Sequence, residues 1–185
     1  MSSSDWSSLP KAFRRAAAIL LVLAVPLASA CTVQPLYYNP SSDGTQAGVK
    51  ADLSSISIKP VEQRYAQEVR NHLIFLFNGG SGQPAASAYT LTLVVTALHE
   101  SAAVVQVGDD NEPTAGTVTL TARYVLTSTT GGQTIDSGQR QIVTSYDVPR
   151  QEFAAYRARL DAEDRAAREL ADLLNLAIAQ DLAKG

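Results

Sequence analysis

The chain has 185 residues, with 15 Lys and Arg against 18 Asp and Glu, a formal net charge of −3, and a single cysteine. A slight acidic surplus offers no basic stripe to displace counterions, which argues against a general nucleic-acid binder. One cysteine excludes an internal disulfide framework, and the length suits one domain with a sizeable core.

The N-terminal stretch reads as a signal. Lys11, Arg14 and Arg15 precede the apolar run "AAAILLVLAVPLASA", which ends in small residues at Ala30. A basic head, a short apolar middle and a small-residue end are the parts of a secretory signal peptide, here residues 1–30. The run is about 15 residues long and holds Pro26, whereas a membrane-spanning helix needs about 20. The stretch Leu27 to Cys31, "LASAC", resembles a bacterial lipobox, with Ala28 where the commonest form has Leu. In such signals the cysteine sulfur receives a diacylglyceryl group, the chain is cut before it, and the new N-terminus is acylated. Cys31 is the expected lipidation site; the alternative is an ordinary secretory cut that leaves Cys31 as a small apolar residue. Thr32 follows, rather than an Asp resembling an inner-membrane retention signal, which points to outer-membrane delivery. One acyl chain binds a bilayer only marginally, at about 0.8 kcal/mol per buried CH₂, whereas two or three make a lasting tether.

A cut before Cys31 leaves 12 basic and 17 acidic side chains. Residues 31–52 read as a lipidated N-terminus and linker, because Pro35, Pro40, Gly44 and Gly48 interrupt any periodic pattern. A domain is expected from 53 to 185. "SISIKP" alternates Ile56 and Ile58 with polar residues and stops at Pro60, as a short strand does. "RYAQEVRNHLIFLF" places Tyr65, Val69, His72, Leu73 and Leu76 at helical spacing, and "NGG" ends it. "AYTLTLVVTALHE" is a strand with Tyr89, Leu91, Leu93, Val95 and Ala97 on one face and Thr90, Thr92, Val94 and Thr96 on the other. "GDDNEPTAG" reads as a loop. "TVTLTARYVLT" alternates again, with Val118, Leu120, Ala122, Tyr124 and Leu126 against threonines and Arg123. "TGGQ" signals a hairpin, and a poorly alternating strand from about Thr134 to Tyr146 carries a bulge signal at Ser137-Gly138. The last segment, from about Gln151 to Ala183, is an Ala-rich helix with a stripe through Leu160, Ala167, Leu170, Leu174, Ile178 and Leu182. Asp161–Arg165 and Asp164–Arg168 are i,i+4 pairs on its polar side. The order β-α-β-β-β-α predicts an α+β two-layer sandwich, with two helices on one face of a four-stranded mixed sheet.

Catalytic chemistry is sparse. His72 and His99 are the only histidines, and with no spare cysteine they do not compose a zinc site. "GGSGQ" lacks the second glycine of a nucleophile elbow, and Asp109, Asp110, Asn111 and Glu112 do not follow EF-hand spacing. No enzyme, metal or cofactor is expected. The informative feature is a Thr-rich sheet face left bare if both helices pack opposite; a solvated antiparallel face and a binding face are both open readings.

These stretches together resemble the LPS-assembly lipoprotein family (LptE) in its alphaproteobacterial form. "ACTVQPLY", "RNHLIFLFNGG", "AYTLTL", "LTARYVLTSTTGGQTIDSG", "SYDVPRQEFAAY" and "DAEDRAARELADLLNLAIAQDL" carry the resemblance, by order and spacing across residues 31–183. It implies a lipid-anchored protein of the outer membrane that plugs the lumen of a large β-barrel partner, LptD. It also implies help in that barrel's assembly and binding of lipopolysaccharide on its way to the outer leaflet. For that ligand, phosphate recognition wants cations, so Arg123 on the Thr face and Arg140 on the next strand are the candidate contacts, with Lys59 a weaker third. The rival reading is an auxiliary lipoprotein of another envelope lipid-transport or secretion system.

Overall fold

The computed structural model describes residues 44–107 and 110–183. The signal region, Cys31 and the first part of the expected linker lie outside the described residues. The elements are α1 (Gly44–Ser54), β1 (Ile56–Ile58), α2 (Arg64–Asn78), β2 (Tyr89–Val107), β3 (Asp110–Ser128), β4 (Thr134–Asp147) and α3 (Glu152–Leu182). The sheet order is β1-β2-β3-β4. β1 runs parallel to β2, and the other neighbours are antiparallel. This is the expected mixed sheet and α+β sandwich.

Alternation on β2 and β3 builds the core. Leu91, Leu93 and Val95 are buried beside Val118, Leu120, Ala122, Tyr124 and Leu126, all on one face. α2 lays Ala66, Val69, Leu73 and Phe77 on that face, so its buried stripe is set one residue away from Tyr65 and Leu76, which are half-buried. Gly79 in the left-handed conformation (φ 58°) ends α2, where a side chain would be strained. α3 contributes Leu170, Leu174 and Ile178 together with six buried alanines. Small side chains allow α3 to come close to both the sheet and α2, and its outer stripe members Leu160 and Leu182 are only half-buried. Each fully buried Leu or Ile contributes about 1.5–3 kcal/mol of transfer free energy.

Three sequence expectations need correction. The linker ends early: residues 44–54 form α1, which packs on α2 and α3 and buries Val49 and Leu53. Two apolar contacts outweigh its glycines, because tertiary packing rather than propensity sustains most short helices. The "GDDNEPTAG" loop is instead mostly strand, since β2 and β3 stay paired as far as Val107 and Asp110. Ladder bonds need no apolar side chains, and Pro113 sits opposite Val104 at a register shift, beyond the end of β4. The irregularity in β4 falls at Ile135, since Leu126 pairs with Asp136 while Thr127 pairs with Thr134. Gly138 serves another purpose. It faces Tyr124, and a Cβ there would meet that ring at 2.7–2.8 Å. Gly116 gives Tyr146 the same room in the reverse direction.

Candidate functional site

The face opposite the helices is the candidate site. Strand parity sets Thr90, Thr92, Val94, Thr96 and Leu98 of β2 beside Thr117, Thr119, Thr121, Arg123, Val125 and Thr127 of β3. β4 adds Ser137, Gln139, Gln141, Val143 and Ser145. None of these is buried, and Val94 and Leu98 are 56% and 55% exposed. The polar groups are knitted together across the strands. Thr96 and Thr127 donate from Oγ1 to the carbonyls of Thr121 (3.4 Å) and Thr90 (3.2 Å), and Thr121 Oγ1 reaches Gln141 Oε1 (3.4 Å). Arg123 lies across the face, its Nε donating to Gln139 Oε1 at 2.8 Å. The surface is thus dominated by hydroxyl and amide groups, with few charges and scattered aliphatic side chains.

The three candidate cations do not form one cluster. Arg123 is on the bare face. Lys59 continues the register of β1 by one residue, its N–H donating to the Leu91 carbonyl at 3.0 Å, which sets it beside Thr92 on the same face. By strand spacing and rise its Cα lies about 12 Å from that of Arg123, within the combined reach of two long side chains. Arg140 pairs with Ala122 and therefore points to the helix side, where it is half-buried. Reading Arg140 with Arg123 fails because β4 hides its parity. Its inward positions are Asp136, Gly138, Arg140, Ile142, Thr144 and Tyr146, while Val143 points outward and Ile135, at the irregularity, is exposed.

A charged cluster that the sequence did not reveal lies on the helix side. Glu163 of α3 is buried. It accepts from Arg64 Nη2 at 2.5 Å and meets His99 Nε2 at 3.0 Å, with Arg159 Nε at 4.0 Å. Arg64 also pairs with Asp164, so Asp164 binds across to α2 instead of Arg168. Burial alone would lower the Arg64 pKa, but its bonds to Asp164 and Glu163 outweigh that and raise it. The expected Asp161–Arg165 pair forms at 3.0 Å. Tyr124 donates its hydroxyl to Asp181 at 2.6 Å, and burial together with that bond raises its pKa far above the usual phenol value. His72 stands 3.6 Å from Asp172 and stacks on Phe75. Both histidines are thus taken up in cross-element pairs. Among the described residues no group of three or more His, Cys, Asp or Glu is placed to hold a metal ion.

Comparison with known proteins adds the family. A family model described as "Lipopolysaccharide-assembly", LptE, matches residues 53–178. A crystal structure of a Caulobacter crescentus protein described as a lipoprotein is similar, at 28% identity and TM-score 0.59. The match covers 75% of this chain and 98% of that one. The rare lipoprotein B of Shewanella oneidensis matches at 14% identity and TM-score 0.49, covering 68% of this chain and 92% of that one. A search of curated proteins returns no match.

Proposed function

This chain belongs to the LptE lipopolysaccharide-assembly family, and we propose that it acts as a lipid-anchored plug of an LptD-type outer-membrane β-barrel. In this reading it assists the barrel's assembly and binds lipopolysaccharide during delivery to the outer leaflet, held at the membrane through Cys31. The observation that carries it is the bare Thr-rich face. Barrel lumens are polar, and a wall of hydroxyl and amide groups can exchange hydrogen bonds with such a lumen without burying unpaired charge. Arg123 and Lys59, which share that face, are the cations offered to the phosphates of lipopolysaccharide. A guanidinium fork beside an ammonium suits such groups.

The first test is purification of the C-terminally tagged lipoprotein from outer membranes in native detergent, with mass spectrometry of every co-purifying protein. A stoichiometric large β-barrel is expected. An inner-membrane ATPase system, or no partner, would overturn the plug reading. For the ligand, Arg123→Ala with Lys59→Ala is expected to weaken lipopolysaccharide binding. Unchanged binding by a folded variant removes these two residues from the site.

A further inference from the structure

Open sheet edges invite strand addition, and the two edges here differ. β1 is only three residues long and pairs with Tyr89–Leu91, so on that side the edge passes to β2 itself. β4 has 14 residues and, among the described residues, pairs with β3 alone. Arg165 of α3 donates Nη2 to the Ser145 carbonyl at 3.2 Å, so that carbonyl faces away from β3. Backbone groups alternate in direction along a strand, so those of Ser137, Gln139, Gln141 and Val143 face the same open side. The Gln139 carbonyl is covered too, by Arg140 Nη1 at 2.8 Å. Both arginines reach the edge from the helix side. An inward-pointing charge on an edge strand is a recognised defence against pairing, because a docking strand must strip it from its carbonyl and bury it.

We propose that Arg140 and Arg165 guard the β4 edge, and that the occupant they exclude is β4 of a second copy of this chain. Edge-to-edge pairing of two antiparallel β4 strands obeys a two-fold axis and needs no further component. Val143, β-branched and 53% exposed, lies on the bare face where it would flank such a seam. This role for Arg140 is independent of lipopolysaccharide binding.

The test uses the full-length lipoprotein purified in detergent, with the protein mass separated from the micelle by light scattering and the fold followed by circular dichroism. The wild type is expected to be monomeric. Arg140→Gln with Arg165→Gln is expected to give about twice the monomer mass. Adding Val143→Pro should restore the monomer, because its N–H faces the open side and no ladder bond is lost. If proline disturbs the fold, Val143→Lys probes the same seam. A folded double variant that stays monomeric overturns the proposal, as does a dimer that either Val143 change leaves intact. Should the double variant fail to fold, Arg140→Gln alone, which keeps the Arg165–Asp161 pair, is judged by the same masses.

Discussion

The two faces of this sheet share one backbone and differ in what lies on them. On the inner face Val118, Leu120, Ala122 and Leu126 are sealed under α2 and α3. On the outer face Thr117, Thr119, Thr121 and Arg123 alternate with them along the same strand, and none of the described helices lies above them. The inner face therefore holds the fold together, while the outer face is free to meet a partner. Substitutions on the two sides should separate stability from capture. The largest effect is expected inside. Leu120→Ala removes a fully buried side chain and should lower stability by about 2–5 kcal/mol in urea unfolding. Thr121→Ala, one residue along and facing out, should stay within about 0.5 kcal/mol. A similar loss at both positions would mean that something covers the outer face in the isolated protein as well.

The charged groups sharpen the same contrast. Glu163→Ala strips Arg64 and His99 of their shared carboxylate between α2, β2 and α3. Because Arg64 keeps Asp164 and retains access to water, the expected loss is about 1–3 kcal/mol. Arg123→Ala on the outer face breaks only an exposed bond to Gln139 and should change stability by less than about 0.5 kcal/mol. The same urea titrations decide between the two.

How far the sequence reveals these faces depends on how evenly each strand is covered. β2 and β3 lie in the middle of the sheet, so their inward positions from Leu91 to Ala97 and from Val118 to Leu126 are apolar or aromatic and the alternation is plain. β4 is an edge only partly covered, so Asp136 and Arg140 are tolerated inward and Gly138 is required to clear the Tyr124 ring. Its parity is therefore lost to inspection, and with it the side on which Arg140 lies. The Glu163 cluster was hidden for a different reason. On an Ala-rich helix a carboxylate looks like one more solvated charge, and its main partner, Arg64, is 99 residues away. α1 gave no signal because its helix depends on Val49 and Leu53 finding neighbours, not on its own residues.

Tyr124 offers a pH-dependent probe of the inner face. Its hydroxyl is held neutral by burial and by the bond to Asp181, so its pKa is raised on folding. A raised folded pKa means that the stabilisation is fully present below the unfolded value of about 10 and is lost as pH rises above it. Tyr124→Phe should cost about 1–1.5 kcal/mol near neutral pH. The gap between variant and wild type in urea midpoint should narrow above pH about 10, since only the wild type has this group to ionise. A gap that is constant with pH would mean that the hydroxyl bond contributes nothing beyond packing.

The smallest stability effect carries the sharpest test of the outer face. Replacing Thr96, Thr119 and Thr121 by Val keeps shape and strand preference but removes three hydroxyl groups, two of which bond across strands. Because the face is open to water, the net change in stability should be near zero, with Val at least as good a strand former as Thr. A polar lumen wall, by contrast, would be left facing methyl groups, and each of its buried unpaired donors or acceptors would cost about 1–3 kcal/mol. The variant should therefore fold normally and yet recover much less barrel from outer membranes than the wild type. Full recovery with a normal fold would show that capture does not use this face and would shift attention to the helix side.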